Sequence, residues 1–158
     1  MDHDADSLIE RFTREQAERV TAAVKAGKTP GESRPRLLNS LLAGTLREVG
    51  HTQMLLLADK GFPVPPGVET IDLALTNDLP TVLDVIRAIA DDFAFDRILI
   101  AEEMKAVSGP RVTELETLTG KPIEAFAHID FKHIAAHARL AVRTGDTTPY
   151  ANCLLVRG

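Results

Sequence analysis

The sequence predicts an α/β fold: a single three-layer domain with a mainly parallel sheet covered by helices, preceded by an N-terminal helical extension. Three observations carry that expectation. Apolar runs of four or five residues (Met54–Ala58, Arg97–Ala101, Cys153–Val156) are too short for helices and read as strands, the first two buried on both faces. Segments of helical periodicity alternate with them, which is the pattern of a parallel sheet with crossover helices. Polar residues, namely Asp59, Glu102, Glu103 and His128, stand just beyond strands, where such sheets build sites.

The elements follow in order. Residues 7–26 carry Leu8, Phe12, Val20 and Val24 between charges, an amphipathic helix with a thin apolar stripe. The Gly- and Pro-containing stretch 27–33 is a linker by composition, so residues 1–34 form an extension and 35–158 the α/β domain. Asn39 or Ser40 caps a helix to Val49, with Leu41, Leu42, Leu46 and Val49 on one face and Gly50 as its stop. The buried strand Met54–Ala58 delivers Asp59 to a stiff loop set by Gly61, Pro63, Pro65 and Pro66. Residues 68–75 alternate as a second, less buried strand. Residues 76–80 start a helix with Pro80 in its first turn, running to Ala90. Arg97–Ala101 is a strand with Glu102 and Glu103 at its end; Gly109-Pro110 opens a helix to about Thr119. A strand over 122–127 leads to His128, and Asp130 caps a helix to about Arg139. Residues 140–143 and 153–156 are two final strands around a turn-rich loop holding Tyr150 and Asn152.

Bulk properties exclude several classes. At 158 residues the chain suits one ordinary domain with a real core, 44% hydrophobic and 26% charged. A net charge of −5 argues against nucleic acid or an anionic membrane as partner, and no apolar run approaches a bilayer span. Asp2, Asp4 and Asp6 after Met1 are the reverse of a positive signal-peptide start. The lone Cys153 fits a reducing cytoplasm, so a cytoplasmic protein is expected. No dinucleotide fingerprint, phosphate-binding lysine loop or nucleophile elbow is present, so no cofactor is expected.

Cys153 lies within an apolar strand and reads as a buried structural thiol. His133 and His137, four apart without an intervening carboxylate, read as solvated helix surface. His51 and His128 stand at junctions between elements, where capping and proton transfer are both open readings. Glu102 and Glu103 are adjacent, so at most one enters a site. Tyr150 and Asn152 offer an aromatic face, a hydroxyl and a carboxamide, groups suited to a sugar. His51 precedes the Met54–Ala58 strand and Asp59 follows it, about 20 Å apart along an extended chain. A site using both needs the chain to curl back or a second copy to supply one of them.

Six motifs in order, Gly50-His51-Thr52, Asp59-x-Gly61-x-Pro63-x-Pro65, Ile71-Asp72-Leu73-Ala74-Leu75-Thr76, Ala101-Glu102-Glu103-x-Lys105, His128-x-x-Phe131-Lys132 and Pro149-Tyr150-Ala151-Asn152, resemble the ribose pyranase/fucose mutarotase family from about Leu37 onward. The resemblance implies a cofactor-independent isomerase that interconverts pyranose and furanose forms of a monosaccharide, D-ribose foremost. It implies His51 as catalytic acid/base and Asp59, His128, Lys132, Tyr150 and Asn152 as sugar contacts. It also implies a homo-oligomer, pentameric rings that stack into decamers, with sites between subunits. The extension has no counterpart in short family members, Gln53 stands where an acid is frequent, and Lys60 where alanine is usual.

Overall fold

The structure, a computed structural model, describes residues 3–25 and 37–158. The chain divides into two units, Met1–Arg36 and Leu37–Gly158. The described residues of the first form a helix, α1 (His3–Lys25), which begins a turn earlier than the apolar pattern suggests. The expected linker and the side chains of Leu8, Phe12, Val20 and Val24 lie outside the described residues.

The second unit runs α2 (Ser40–Leu46), β1 (Met54–Ala58), β2 (Thr70–Asp72), α3 (Val82–Ile89), β3 (Arg97–Ala101), α4 (Glu102–Val107), α5 (Gly109–Thr119), β4 (Ile123–Phe126), α6 (His128–Ala135), β5 (Leu140–Arg143) and β6 (Cys153–Val156). The strands form one sheet in the order β2-β5-β1-β6-β3-β4. Pairs β1–β5, β2–β5 and β3–β4 are parallel, and β6 runs antiparallel to both β1 and β3. Five strands therefore share one direction and the sixth is inserted among them.

Alternation along the strands divides the interior into two layers. Leu55 and Leu57 of β1 join Ile98, Ile100, Leu140, Val142, Cys153 and Leu155 against the buried faces of α2, α3 and α5. Leu56 and Ala58 point the other way, with Leu99, Ala101, Ala141 and Leu154, onto Phe131 and Ala135 of α6. Each fully buried leucine contributes about 1.5–3 kcal/mol relative to exposure. Phe62, from the Pro-rich loop, meets the Phe131 ring edge-on at 5.9 Å and seals that second layer.

Several boundaries differ from expectation. Asn39 caps α2, its side-chain oxygen accepting the Leu42 N–H at 2.9 Å, but the helix stops at Leu46 and Leu41 is 64% exposed. The strand expected over 68–75 is only three residues long: the Asp72 side chain accepts the Ala74 N–H and turns the chain out, leaving Leu75 exposed. Pro80 lies outside α3, after a cis Leu79–Pro80 bond. Thr81 is the true cap, bonded reciprocally with Asp84. Glu102 and Glu103 open an unforeseen short helix, α4. Asp130 sits in the first turn of α6 rather than capping it, and that helix ends at Ala135, not Arg139.

Candidate active site

One end of the sheet gathers most of the expected site. The carboxyl ends of β1, β3 and β4 and the amino end of β6 open there, which brings Asp59, Glu103, His128, Tyr150 and Asn152 to one edge. Asp59 is buried. Its own N–H donates to the Asn152 side-chain oxygen at 2.7 Å, stapling the end of β1 to the start of β6. Its carboxylate accepts the Gly61 N–H at 3.0 Å. Burial raises the Asp59 pKa, the N–H groups of Gly61, Phe62 and Ala151 pull against it, and the charge of Asp146 adds to the rise.

His128 begins α6. Its N–H donates to the Glu103 carboxylate at 2.7 Å, so Glu103 supplies the anion at that helix start. Of the adjacent glutamates, Glu103 is the one that holds the His128 N–H, while Glu102 is exposed. The His128 ring stands edge-on to Tyr150 (centroids 5.1 Å apart) and to Phe62 (6.2 Å). Its Nδ1 is buried and has no hydrogen-bond partner among the described residues. Such a nitrogen is costly to leave unmet and suits a ligand hydroxyl. Lys132 is exposed one turn further along α6.

Tyr150 adopts φ 57°, the left-handed region that a bulky residue enters at a cost of about 1–3 kcal/mol. The loop before it is clamped. Ser108 donates its hydroxyl to the Pro149 carbonyl at 2.7 Å. Gly145 passes so near the 76–80 turn that a Cβ there would lie 2.1 Å from the Thr76 carbonyl oxygen. Asp78 holds both the N–H and the hydroxyl of Thr147, each at 2.8 Å. Beneath this loop lies a buried ion pair that sequence reasoning missed. Arg111 of α5 donates to Asp146 at 2.6 Å, the two side chains being 10% and 0% exposed. Burial pushes Asp146 upward, but the Arg111 bond, the N–H groups of Val82 and Thr148 and the Arg111 charge outweigh it and leave its pKa lowered. The signal was present: Arg111, Leu115 and Leu118 share a helical stripe, placing a charge where the core should be. Cys153 is wholly buried, as expected, and its thiol is pushed up to about 12 mainly by desolvation.

His51 is elsewhere. It precedes β1 at the opposite end of the sheet, beside the end of β6, where Thr52 donates its N–H to Arg157. The imidazole is exposed and its Nδ1 lies 2.5 Å from the main-chain oxygen of Gly158. That oxygen can only accept, so in this contact Nδ1 is the donor. Within one chain the structure brings together Asp59, His128, Tyr150 and Asn152, and leaves His51 on the order of 20 Å away across β1. His133 and His137 are both exposed.

Comparison with known proteins bears on this geometry. Residues 32–158 match the model of the RbsD / FucU transport protein family. A D-ribose pyranase of Pseudomonas putida (strain W619) is 44% identical over 124 residues, covering 77% of this chain and 94% of that protein. A D-ribose pyranase of Bacillus subtilis (strain 168) is 41% identical over 123 residues, with the same coverages. Among solved structures, Bacillus subtilis RbsD complexed with D-ribose superposes with a TM-score of 0.74 at 39% identity, covering 80% of this chain and 97% of that one. The fucose mutarotase of Streptococcus pneumoniae in complex with L-fucose matches in fold, with a TM-score of 0.63 at 22% identity over 80% and 97% of the two chains. With its matched segment spanning the whole six-stranded unit, the chain belongs to the RbsD/FucU family.

Proposed function

We propose that this protein is a cofactor-independent isomerase interconverting the pyranose and furanose forms of D-ribose. The observation that carries the reading is the gathering of Asp59, His128, Tyr150 and Asn152 at one sheet edge, in a chain 39% identical to a protein solved with D-ribose. Ring opening puts a proton on the ring oxygen and removes one from the anomeric hydroxyl, giving the free aldehyde. After bond rotation a different hydroxyl adds to the carbonyl, with both transfers reversed. His51 is the acid/base for these transfers, Nε2 being its working nitrogen. Positioned acid/base groups of this kind contribute about 10²–10⁴-fold. Asp59, His128, Tyr150, Asn152 and Lys132 hold the hydroxyls, the unmet His128 Nδ1 among them.

The separation of His51 from the other groups supports a site shared between copies. The His51 end of one chain meets the Asp59 end of the next, a head-to-tail contact that closes into a ring. The family resemblance favours pentameric rings stacked as decamers. Exposed Leu38, Leu41, Leu75, Leu79, Val107 and Ile129 provide apolar surface for such contacts. Among the described residues no helix is long and apolar enough to cross a membrane, and the lone, buried Cys153 fits a cytoplasmic setting. Residues 1–34 form an extension to the isomerase domain.

Saturation-transfer NMR on D-ribose tests the activity. Faster exchange between the pyranose and furanose anomeric signals in the presence of the protein is expected. Exchange unchanged for ribose but accelerated for fucose would redirect the assignment to mutarotation of that sugar. Saturable ribose binding without any acceleration would make this a binding module.

A further inference from the structure

The Arg111–Asp146 pair is built into the loop that carries Tyr150 and Asn152. Asp146 accepts from Arg111 at 2.6 Å and from the Val82 N–H at 2.9 Å with one oxygen, and from the Thr148 N–H at 3.0 Å with the other. Arg111 also donates to the Thr148 hydroxyl at 3.0 Å. The Asp146 carbonyl accepts the Lys60 N–H at 2.9 Å, one residue past Asp59. The pair thus joins the starts of α3 and α5, the residue after Asp59, and the turn two residues before Tyr150. Tyr150 needs such bracing, because its left-handed φ is not one a free loop would keep. Stability alone does not account for the arrangement, since a buried ion pair is seldom more stabilising than apolar side chains of the same volume. Arg111 Nε has no partner among the described residues, so the pair is not even fully satisfied.

We infer that Arg111 and Asp146 are positioning residues for substrate: they lock the 146–150 turn so that Tyr150 and Asn152 are presented to the sugar beside Asp59. This rests on the reading of Tyr150 and Asn152 as sugar contacts. Because those contacts hold substrate and transition state alike, loosening them raises KM more than it lowers kcat.

The experiment measures kcat and KM for D-ribose ring exchange in five variants: Arg111→Lys, the charge-free double variant Arg111→Met/Asp146→Asn, Tyr150→Phe, Asn152→Ala, and the double variant combined with Tyr150→Phe. Arg111→Lys keeps the charge but loses the two-pronged fork that also reaches Thr148, so KM is expected to rise about threefold. The double variant is expected to raise KM about tenfold with kcat within about threefold, and its effect to combine less than multiplicatively with Tyr150→Phe. Should the double variant fail to fold, Arg111→Lys alone decides. An unchanged KM in a folded pair variant, with KM raised in Tyr150→Phe and Asn152→Ala, would overturn the positioning role and leave the sugar contacts standing. Unchanged KM in Tyr150→Phe and Asn152→Ala would overturn the sugar contacts, and the positioning role with them.

Discussion

The two ends of β1 are built to opposite specifications. At the Asp59 end the chain is buried and tied down. The Asp59 backbone bonds to Asn152, its carboxylate to backbone N–H groups, and the neighbouring loop to Arg111, Asp146, Asp78 and Ser108. At the His51 end one imidazole lies in the open, hydrogen-bonded to the main-chain oxygen of Gly158. A binding site gains from rigidity, since groups already oriented lose little entropy when the sugar arrives. On the proposed reading, in which His51 serves the next copy as acid/base, that end needs exposure instead. Both ends share one device, a non-glycine residue in the left-handed region: Tyr150 at one, Thr52 beside His51 at the other. Backbone strain of this kind clusters where a side chain has to be aimed.

This contrast can be broken by mutation, the largest effect lying at the open end. His51→Ala should lower the ring-exchange rate by about 10²–10⁴-fold with an unchanged circular dichroism spectrum, because the residue is exposed and supports no core. At the rigid end the expected losses are in stability. Phe131→Ala removes a fully buried ring from the layer beneath α6 and should cost about 3–5 kcal/mol in denaturant unfolding.

Acid sensitivity belongs to the rigid end as well. The Asp146 pKa is lowered in the folded protein, so its contribution to stability is complete above the ordinary value of 3.8 and is lost as pH falls through the lower folded value. Asp146→Asn should be less stable at neutral pH, and its stability should fall less steeply below about pH 4 than the parent's. Asp59 has the opposite sign. Its raised pKa means the folded state holds the proton more tightly, so this group's contribution declines as pH rises above 3.8. The smallest effect is expected at Lys132, exposed on α6, where Lys132→Ala should change ribose KM by about fivefold or less.

Strand positions were legible because a run such as Leu55-Leu56-Leu57 has only one sensible environment, a sheet covered on both faces. Helix ends were less so. Pro80 read as a first-turn proline, yet the local capping chemistry of Thr81 and Asp84 fixed the start two residues later. Leu41 read as core by spacing, but α2 is too short to bury both sides of its stripe. His128, Tyr150 and Asn152 could be named from the resemblance, whereas Arg111 and Asp146, 35 residues apart, required the fold to be seen as partners. The gap between His51 and Asp59 was legible from strand rise alone, and the fold keeps it open rather than curling the chain back.

A complementation assay tests the central claim, that the site is completed across copies. His51→Ala and Asp59→Ala chains, each inactive alone, are co-expressed and the mixed assembly is assayed for D-ribose ring exchange. If His51 of one chain serves the Asp59 end of the next, random mixing leaves about a quarter of the sites with both groups intact. The account predicts recovery to about that fraction of the parent rate. Activity no higher than that of either variant alone, in a preparation shown to contain mixed assemblies, would contradict it.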